Sequence, residues 1–237
     1  MPTPDQITLI KQKWNSAKEK ALRMTSQESL EDSTFEYHHT KKNVDVYSCK
    51  QEGESALVIR GDVICENVTP EEFVQPLLSV DMKIKKLLDP LVKRVELIES
   101  WNDEDGEWRI LYYVVSAGAP FVSDRDFLYV LRFHKTDSFT YFVSTSIDGI
   151  YEPPSSFVPH KGAVRGTNEF VCQRYVPEEG NAANIMVTYS SLTLPNGWIP
   201  QSVVNSAIFP VPLGLATAAE LLNKKLRTRS NSPSLNK

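Results

Sequence analysis

Asn196-Gly197-Trp198-Ile199-Pro200-Gln201-Ser202-Val203-Val204-Asn205 lies inside a forty-residue segment, Gly180 to Ala219, that has no Lys, Arg, Asp or Glu, although these make up 24 % of the chain. A segment so long without charge is kept against something apolar. After the Asn196-Gly197 turn, Val203, Val204, Ala207, Ile208, Phe209, Leu213, Leu215, Ala218, Leu221 and Leu222 follow at helical spacing. Pro200 suits the first helical turn, where its missing N–H costs nothing. A membrane span competes with this reading, because Ser202 to Ala219 is eighteen uncharged residues, close to the length a bilayer helix needs. Asn205, Ser206, Pro210, Pro212 and Gly214 oppose it. Two prolines two residues apart remove helix hydrogen bonds and force a break near Phe209, so the expectation is two apolar helical pieces lying against a protein core.

Upstream of that segment the chain reads as strand from Leu91 to Leu194. Leu91 to Trp101 and Trp108 to Ala117 flank the turn Asn102-Asp103-Glu104-Asp105-Gly106. Asp126 to His134 and Phe139 to Ile147 flank Lys135 to Ser138, and Val164 to Tyr175 and Ile185 to Leu194 flank Pro177 to Gly180. With an earlier hairpin (Val44 to Tyr47, Ala56 to Arg60, turn Glu52-Gly53-Glu54) this predicts a meandering antiparallel sheet of about eight or nine strands. In the best-patterned strand Phe127, Tyr129, Leu131 and Phe133 share one face. That face is aromatic and apolar, and only the C-terminal helix is uncharged enough to cover it.

Two helical regions precede the long run of strands. Ile7, Ile10, Trp14, Ala17, Ala21 and Met24 form one face of a helix starting at an Asp5 cap, its other face being made basic by Lys11, Lys13, Lys18, Lys20 and Arg23. That basic face suits either solvent or a membrane surface. Thr69-Pro70-Glu71-Glu72 opens a second helix, and Met82 to Leu88 a third, stopped by Asp89-Pro90.

The totals describe a single globular domain, 5–227, followed by a polar, disordered tail, 228–237. Of the 237 residues 41 % are hydrophobic, and the net charge of −4 offers no overall attraction to nucleic acid or an anionic membrane. Three widely spaced cysteines, Cys49, Cys65 and Cys172, suggest a reducing compartment. The first residues carry neither a signal peptide nor a lipidation motif, so a cytoplasmic monomer is expected. The four histidines have no metal-ligand spacing, and phosphate loops, nucleophile elbows and dinucleotide fingerprints are missing from the sequence. No metal, cofactor or nucleic acid is expected. The chain reads as a container, not a catalyst.

Three stretches together carry a family resemblance: Gly118-Ala119-Pro120-Phe121-Val122-Ser123-Asp124-Arg125-Asp126-Phe127, Lys161-Gly162-Ala163-Val164-Arg165-Gly166, and Asn196 to Asn205. Their order and spacing between an N-terminal and a C-terminal helix resemble the START domains, the StAR-related lipid-transfer modules. The resemblance implies an α+β helix-grip fold, in which a curved antiparallel sheet of about nine strands wraps a long C-terminal helix around a single lipid. It also implies non-enzymatic binding and transfer of that lipid (phospholipid, sterol or sphingolipid), with transient membrane contact. A ligand-sensing module and, more remotely, a cyclase or aromatase on the same fold are the alternatives. A two-chain lipid of about 30 methylenes would cost roughly 24 kcal/mol to expose to water, which calls for a gated cavity.

Ungapped counting from Arg125 carries the resemblance onto particular residues. The buried acid of sterol-carrying members falls on Tyr112 and their buried arginine on Leu131. The choline-caging aromatics of phosphatidylcholine-carrying members fall on Val114, Phe127 and Glu169, and their phosphate-contacting pair on Lys85 and Asp89. The expected ligand-lining set is therefore Lys85, Asp89, Tyr112, Val114, Phe127, Tyr129, Leu131, Arg165 and Tyr189, with Phe209 and Leu213 from the terminal helix. Tyr112, Phe127 and Tyr129 read equally well as core. Ala119, Pro120, Phe121 and Val122 are expected to form the gate, with Arg125 and Asp126 fixing that loop.

Overall fold

The computed structural model describes residues 1–230 except Ser33, Glu54, Ser55 and Asp105. Two of these fall in turns expected from the sequence, and residues 231–237 of the expected tail also lie outside the described residues. The elements are α1 (Pro4–Met24), α2 (Glu28–Glu31), β1 (Glu36–Lys41), β2 (Val44–Lys50), β3 (Leu57–Cys65), α3 (Pro70–Leu78), α4 (Met82–Leu88), β4 (Val92–Asp103), β5 (Gly106–Val115) and β6 (Arg125–Lys135). They continue with β7 (Thr140–Ser146), β8 (Val164–Arg165), β9 (Thr167–Glu178), β10 (Asn181–Leu194), α5 (Gln201–Ile208), a 3-10 turn (Val211–Leu213) and α6 (Gly214–Ser230).

One sheet takes in all ten strands, in the order β1-β2-β3-β10-β9-β7-β6-β5-β4, with β8 added alongside β6. Every pairing is antiparallel except the two-residue one between β6 and β8. This is the helix-grip arrangement: a single open sheet with the C-terminal helices laid across it.

Both sheet faces are apolar, because each has its own helical cover. On the outer face α1 seats Ile10, Trp14, Ala17, Ala21 and Met24 against Trp108, Ile110, Leu128, Val130, Val143, Phe170 and Cys172. Trp14 Nε1–H donates to the Val143 carbonyl (2.9 Å), and its ring meets Trp108 edge-on (centroids 5.1 Å). Thr3, not Asp5, caps this helix: its hydroxyl accepts from Gln6 N–H while the Gln6 side chain accepts from Thr3 N–H. Pro4 then takes the first helical position, where no N–H is needed. The basic flank of α1 is partly neutralised in place, Lys11 pairing with Asp103 (2.7 Å) and Lys13 with Glu169 (3.7 Å).

On the inner face Val44, Val46, Val63, Leu111, Leu131, Phe142, Tyr175, Val187 and Tyr189 meet Phe73 and Val74 of α3 and Leu215, Ala216 and Ala218 of α6. The terminal helix is broken between Ile208 and Val211, as Pro210 and Pro212 demand. Twenty residues, Val203–Leu222, are apolar enough to cross a membrane (mean hydropathy 1.3). They do not form one straight rod, and Pro212 is clamped on β3 so closely that a Cβ added to Gly61 would lie 2.3 Å from Pro212 Cβ. α6 continues to Ser230, three residues past the expected end of the domain, since neither Gly nor Pro interrupts it before Pro233.

Candidate functional site

Between the inner face and α5 the packing is loose. Val203, Val204, Ala207, Ile208 and Phe209 are all only partly buried, and 22 % of the positions in the most apolar window of this segment are buried. Beneath the helices, Tyr129 and Val171 lie on strands with neighbours on both sides, yet each keeps accessible surface. An apolar helix that covers a sheet without filling against it leaves room for an apolar guest.

The inner face carries polar groups among its aliphatic ones. Strand alternation and register place Tyr129 opposite Ser146, Leu131 opposite Ser144, and Tyr189 opposite Gln173. Tyr113 lies opposite Phe127 on the same face. Lys85, buried on α4, donates from Nζ to the Leu77 carbonyl (2.5 Å). It forms no ion pair among the described residues, and burial brings its amine down to about 8. Asp89 ends α4, and its carboxyl accepts from Leu91 N–H (2.9 Å) and Tyr113 O–H (3.4 Å). Burial raises its pKa. Burial, with the nearby Asp89 charge, lifts Tyr113 well above the usual phenol range and Tyr189 to about 12. Burial alone raises Tyr129. The result is a carboxyl and three phenols, Asp89 with Tyr113, Tyr129 and Tyr189, close enough to influence one another on a mostly apolar face, with the buried Lys85 amine on the helix that Asp89 ends.

Of the residues expected to line a ligand, Tyr129, Leu131, Tyr189, Leu213 and Phe209 belong to the inner cluster. Phe127 shares the inner face by alternation, with its ring over Gly166. Phe209 also stands edge-on to His38 of β1 (centroids 4.7 Å). Three of the expected residues lie away from the inner face. Tyr112 and Val114 follow Trp108 and Ile110 in alternation and so belong to the outer face; Tyr113, one residue away, is the inner one. Tyr112 O–H instead donates to Asp126 (2.6 Å) and accepts from His160 N–H (2.7 Å), against the edge of Phe157. Arg165 belongs to the same outer network, bridging Asp126 (2.9 Å) and Asp148. Two carboxylates keep it charged, and it stands on the face opposite the inner cluster. Glu169 sits at the bulge in the β9–β10 register and faces Lys13.

The loop expected to form the gate, within residues 116–124, is tied down at its base. Arg125, buried, donates to the Ser123, Pro195 and Asn196 carbonyls, so one guanidinium holds both this loop and the loop leading into α5. Asp124 pairs with Lys93 (2.8 Å) and with His160 (3.2 Å). Phe121 is fully exposed at φ 62°, a conformation uncommon for a bulky residue, and Trp198 is 85 % exposed. Two large aromatic side chains thus project into solvent from the two loops that Arg125 joins.

One opening was not legible in the sequence. A half-open groove of about 780 Å³ runs between α3, α4 and the later turns of α6, with Arg109 at its border. None of the expected lining residues borders it.

The START domain family model matches residues 67–211. Among curated proteins, the mitochondrial steroidogenic acute regulatory protein of Ovis aries is 22 % identical over 163 residues, covering 63 % of this chain and 55 % of that protein. Its Homo sapiens counterpart is 22 % identical over 185 residues, covering 73 % of this chain and 62 % of that protein. This chain therefore spans little more than half the length of those relatives. Among solved structures, human StAR-related lipid transfer protein 5 superposes with a TM-score of 0.72 at 18 % identity, covering 91 % of this chain and 99 % of that one. Human STARD10 superposes with a TM-score of 0.64 at 18 % identity, covering 94 % and 88 %.

Proposed function

Because this chain belongs to the START domain family, we propose that it holds one lipid molecule between the inner sheet face and α5–α6 and carries it, chemically unchanged, from one membrane to another. The observation that carries this reading is the half-buried state of the charge-free helix α5 over a sheet face that also keeps unfilled surface. In water such a gap is costly at about 25 cal/mol per Å² of apolar area; a lipid removes that cost. Lys85, Asp89, Tyr113, Tyr129 and Tyr189 supply the polar end of the chamber, and Lys85, lacking an ion-pair partner among the described residues, favours a headgroup bearing an anionic oxygen.

Phe121 and Trp198 are the membrane-docking side chains in this scheme. When they enter the interface, the loops that Arg125 joins part and the chamber opens. Docking is transient, and the carrier is a cytoplasmic monomer between encounters. The decisive assay mixes donor vesicles holding fluorescent phospholipid, sphingolipid or sterol with unlabelled acceptors. Faster exchange with the lipid recovered intact supports a carrier. Tight one-to-one binding with no exchange favours a ligand sensor, and a new product favours an enzyme using Lys85 or Asp89 as acid or base.

A further inference from the structure

The groove between α3, α4 and α6 has aliphatic walls: Leu78, Val80, Ile84, Leu87, Leu221 and Leu222. Its charged side chains are largely engaged, although the buried Nε of Arg109 has no partner among the described residues. Arg109 donates to Glu107 (2.6 Å) and to the Leu78 carbonyl (3.3 Å), and Glu72 closes the capping box with Thr69. Gln75, Ser79 and Arg109 give the border some polarity, but the walls are mostly aliphatic and match a hydrocarbon chain better than a headgroup. The groove is also one side chain away from the inner cluster, because Leu78 and Leu222 border the groove and pack against that cluster too, and each is only partly buried. α4 lies between the two spaces, turning Ile84 and Leu87 toward the groove and Lys85 and Leu88 toward the interior.

Arg109 is near the start of β5, and the gate loop follows its end at Val115. That stretch of strand spans roughly 20 Å at about 3.4 Å per residue, comparable with an extended acyl chain. We propose that the groove is the exit for the chain end of the carried lipid, so that the fold is open at both ends and accepts long acyl chains by letting their termini pass Leu78 and Leu222. This rests on the lipid-carrier reading and narrows it to acyl-bearing lipids, since a sterol has only a short branched tail on rigid rings and no long acyl chain to thread between Leu78 and Leu222.

The test loads the full chain from vesicles made of the total lipid extract of cells fed a fatty acid with a terminal diazirine, then irradiates it and maps the adducts. Adducts on Leu78, Val80, Leu87 or Leu222 support the proposal. Acyl lipid bound with adducts only near the gate loop and α5 overturns it and leaves lipid carriage standing, as does selective binding of sterol. No bound lipid of any class overturns both. Val80→Trp with Leu87→Trp, at positions 43 % and 55 % exposed and so tolerant of change, plugs the groove. The share of bound lipids with the longest chains should then fall several-fold in native mass spectrometry; an unchanged chain-length profile rejects the exit.

Discussion

Arg125 donates to the Asn196 carbonyl at 3.0 Å across seventy-one positions of sequence, and through this contact the loop before β6 and the entry to α5 share one anchor. Its other two bonds, to Pro195 and Ser123, leave little freedom for either loop to move alone. Replacing Arg125 with Met strips three carbonyls of a charged donor in a buried setting, a loss of roughly 3 kcal/mol. Thermal unfolding should shift accordingly, and amide exchange should quicken around both loops together. Exchange confined to one loop would mean that they are not coupled.

Phe121 and Trp198 have no role in packing, so removing both rings should leave stability within about 0.5 kcal/mol. Partition onto vesicles should weaken by about 3 kcal/mol, roughly a hundred-fold, if both rings enter the interface. Sedimentation with liposomes measures this, alongside lipid occupancy, which should not change. Equal partition by the double alanine variant places the docking surface elsewhere.

Lys85 supplies a pH signature. Its folded amine titrates at about 8 and the unfolded one near 10.4. Between those values the unfolded chain binds the extra proton, so stability of the empty protein rises with pH across the window. Below pH 8 the full penalty is present, about 3 kcal/mol. Lys85→Met should flatten that rise and stabilise the empty protein at pH 7, while weakening capture of lipids with an anionic oxygen. Denaturant titrations at pH 7 and 10 test the first part, and an unaltered slope between them removes Lys85 as its source.

Gly61 tests the seating of the broken helix. Gly61→Ala sets a methyl 2.3 Å from Pro212 Cβ and must push the 3-10 turn off β3. A destabilisation of about 1–3 kcal/mol is expected, with faster loss of prebound lipid as α5 loses its hinge point. Unchanged stability would mean that this contact gives way without cost.

Much of this architecture was legible because apolar periodicity and turn chemistry agree locally. The hairpins from β4 to β10, the faces of α1 and the proline break after α5 all follow from residues within a few positions of one another. β1 escaped notice because Glu36–Lys41 is an edge strand with almost every residue exposed, so no alternation marks it. β8 is too short to carry a pattern. The misplacement of Tyr112 and Val114 has a different cause. Because both faces of β5 are apolar, composition cannot decide which one meets α1, and a one-residue slip moves every side chain through the sheet. The α4 groove brings residues between Val68 and Leu87 together with Arg109, Leu221 and Leu222, a juxtaposition no local pattern announces.

The bond from Trp14 to the Val143 carbonyl spans 129 positions, and that separation bears on how the chain is made. At roughly 5–20 residues per second on a ribosome, α1 is complete well before β7 exists to receive it. For several seconds at least, the face bearing Ile10, Trp14, Ala17 and Met24 has no sheet to dock on, and non-local pairings of this kind form slowly even afterwards. Synthesis of this segment is therefore a period of exposure in which α1, made well before its sheet, is among the last elements to find its place, and holdase chaperones have their natural opportunity there.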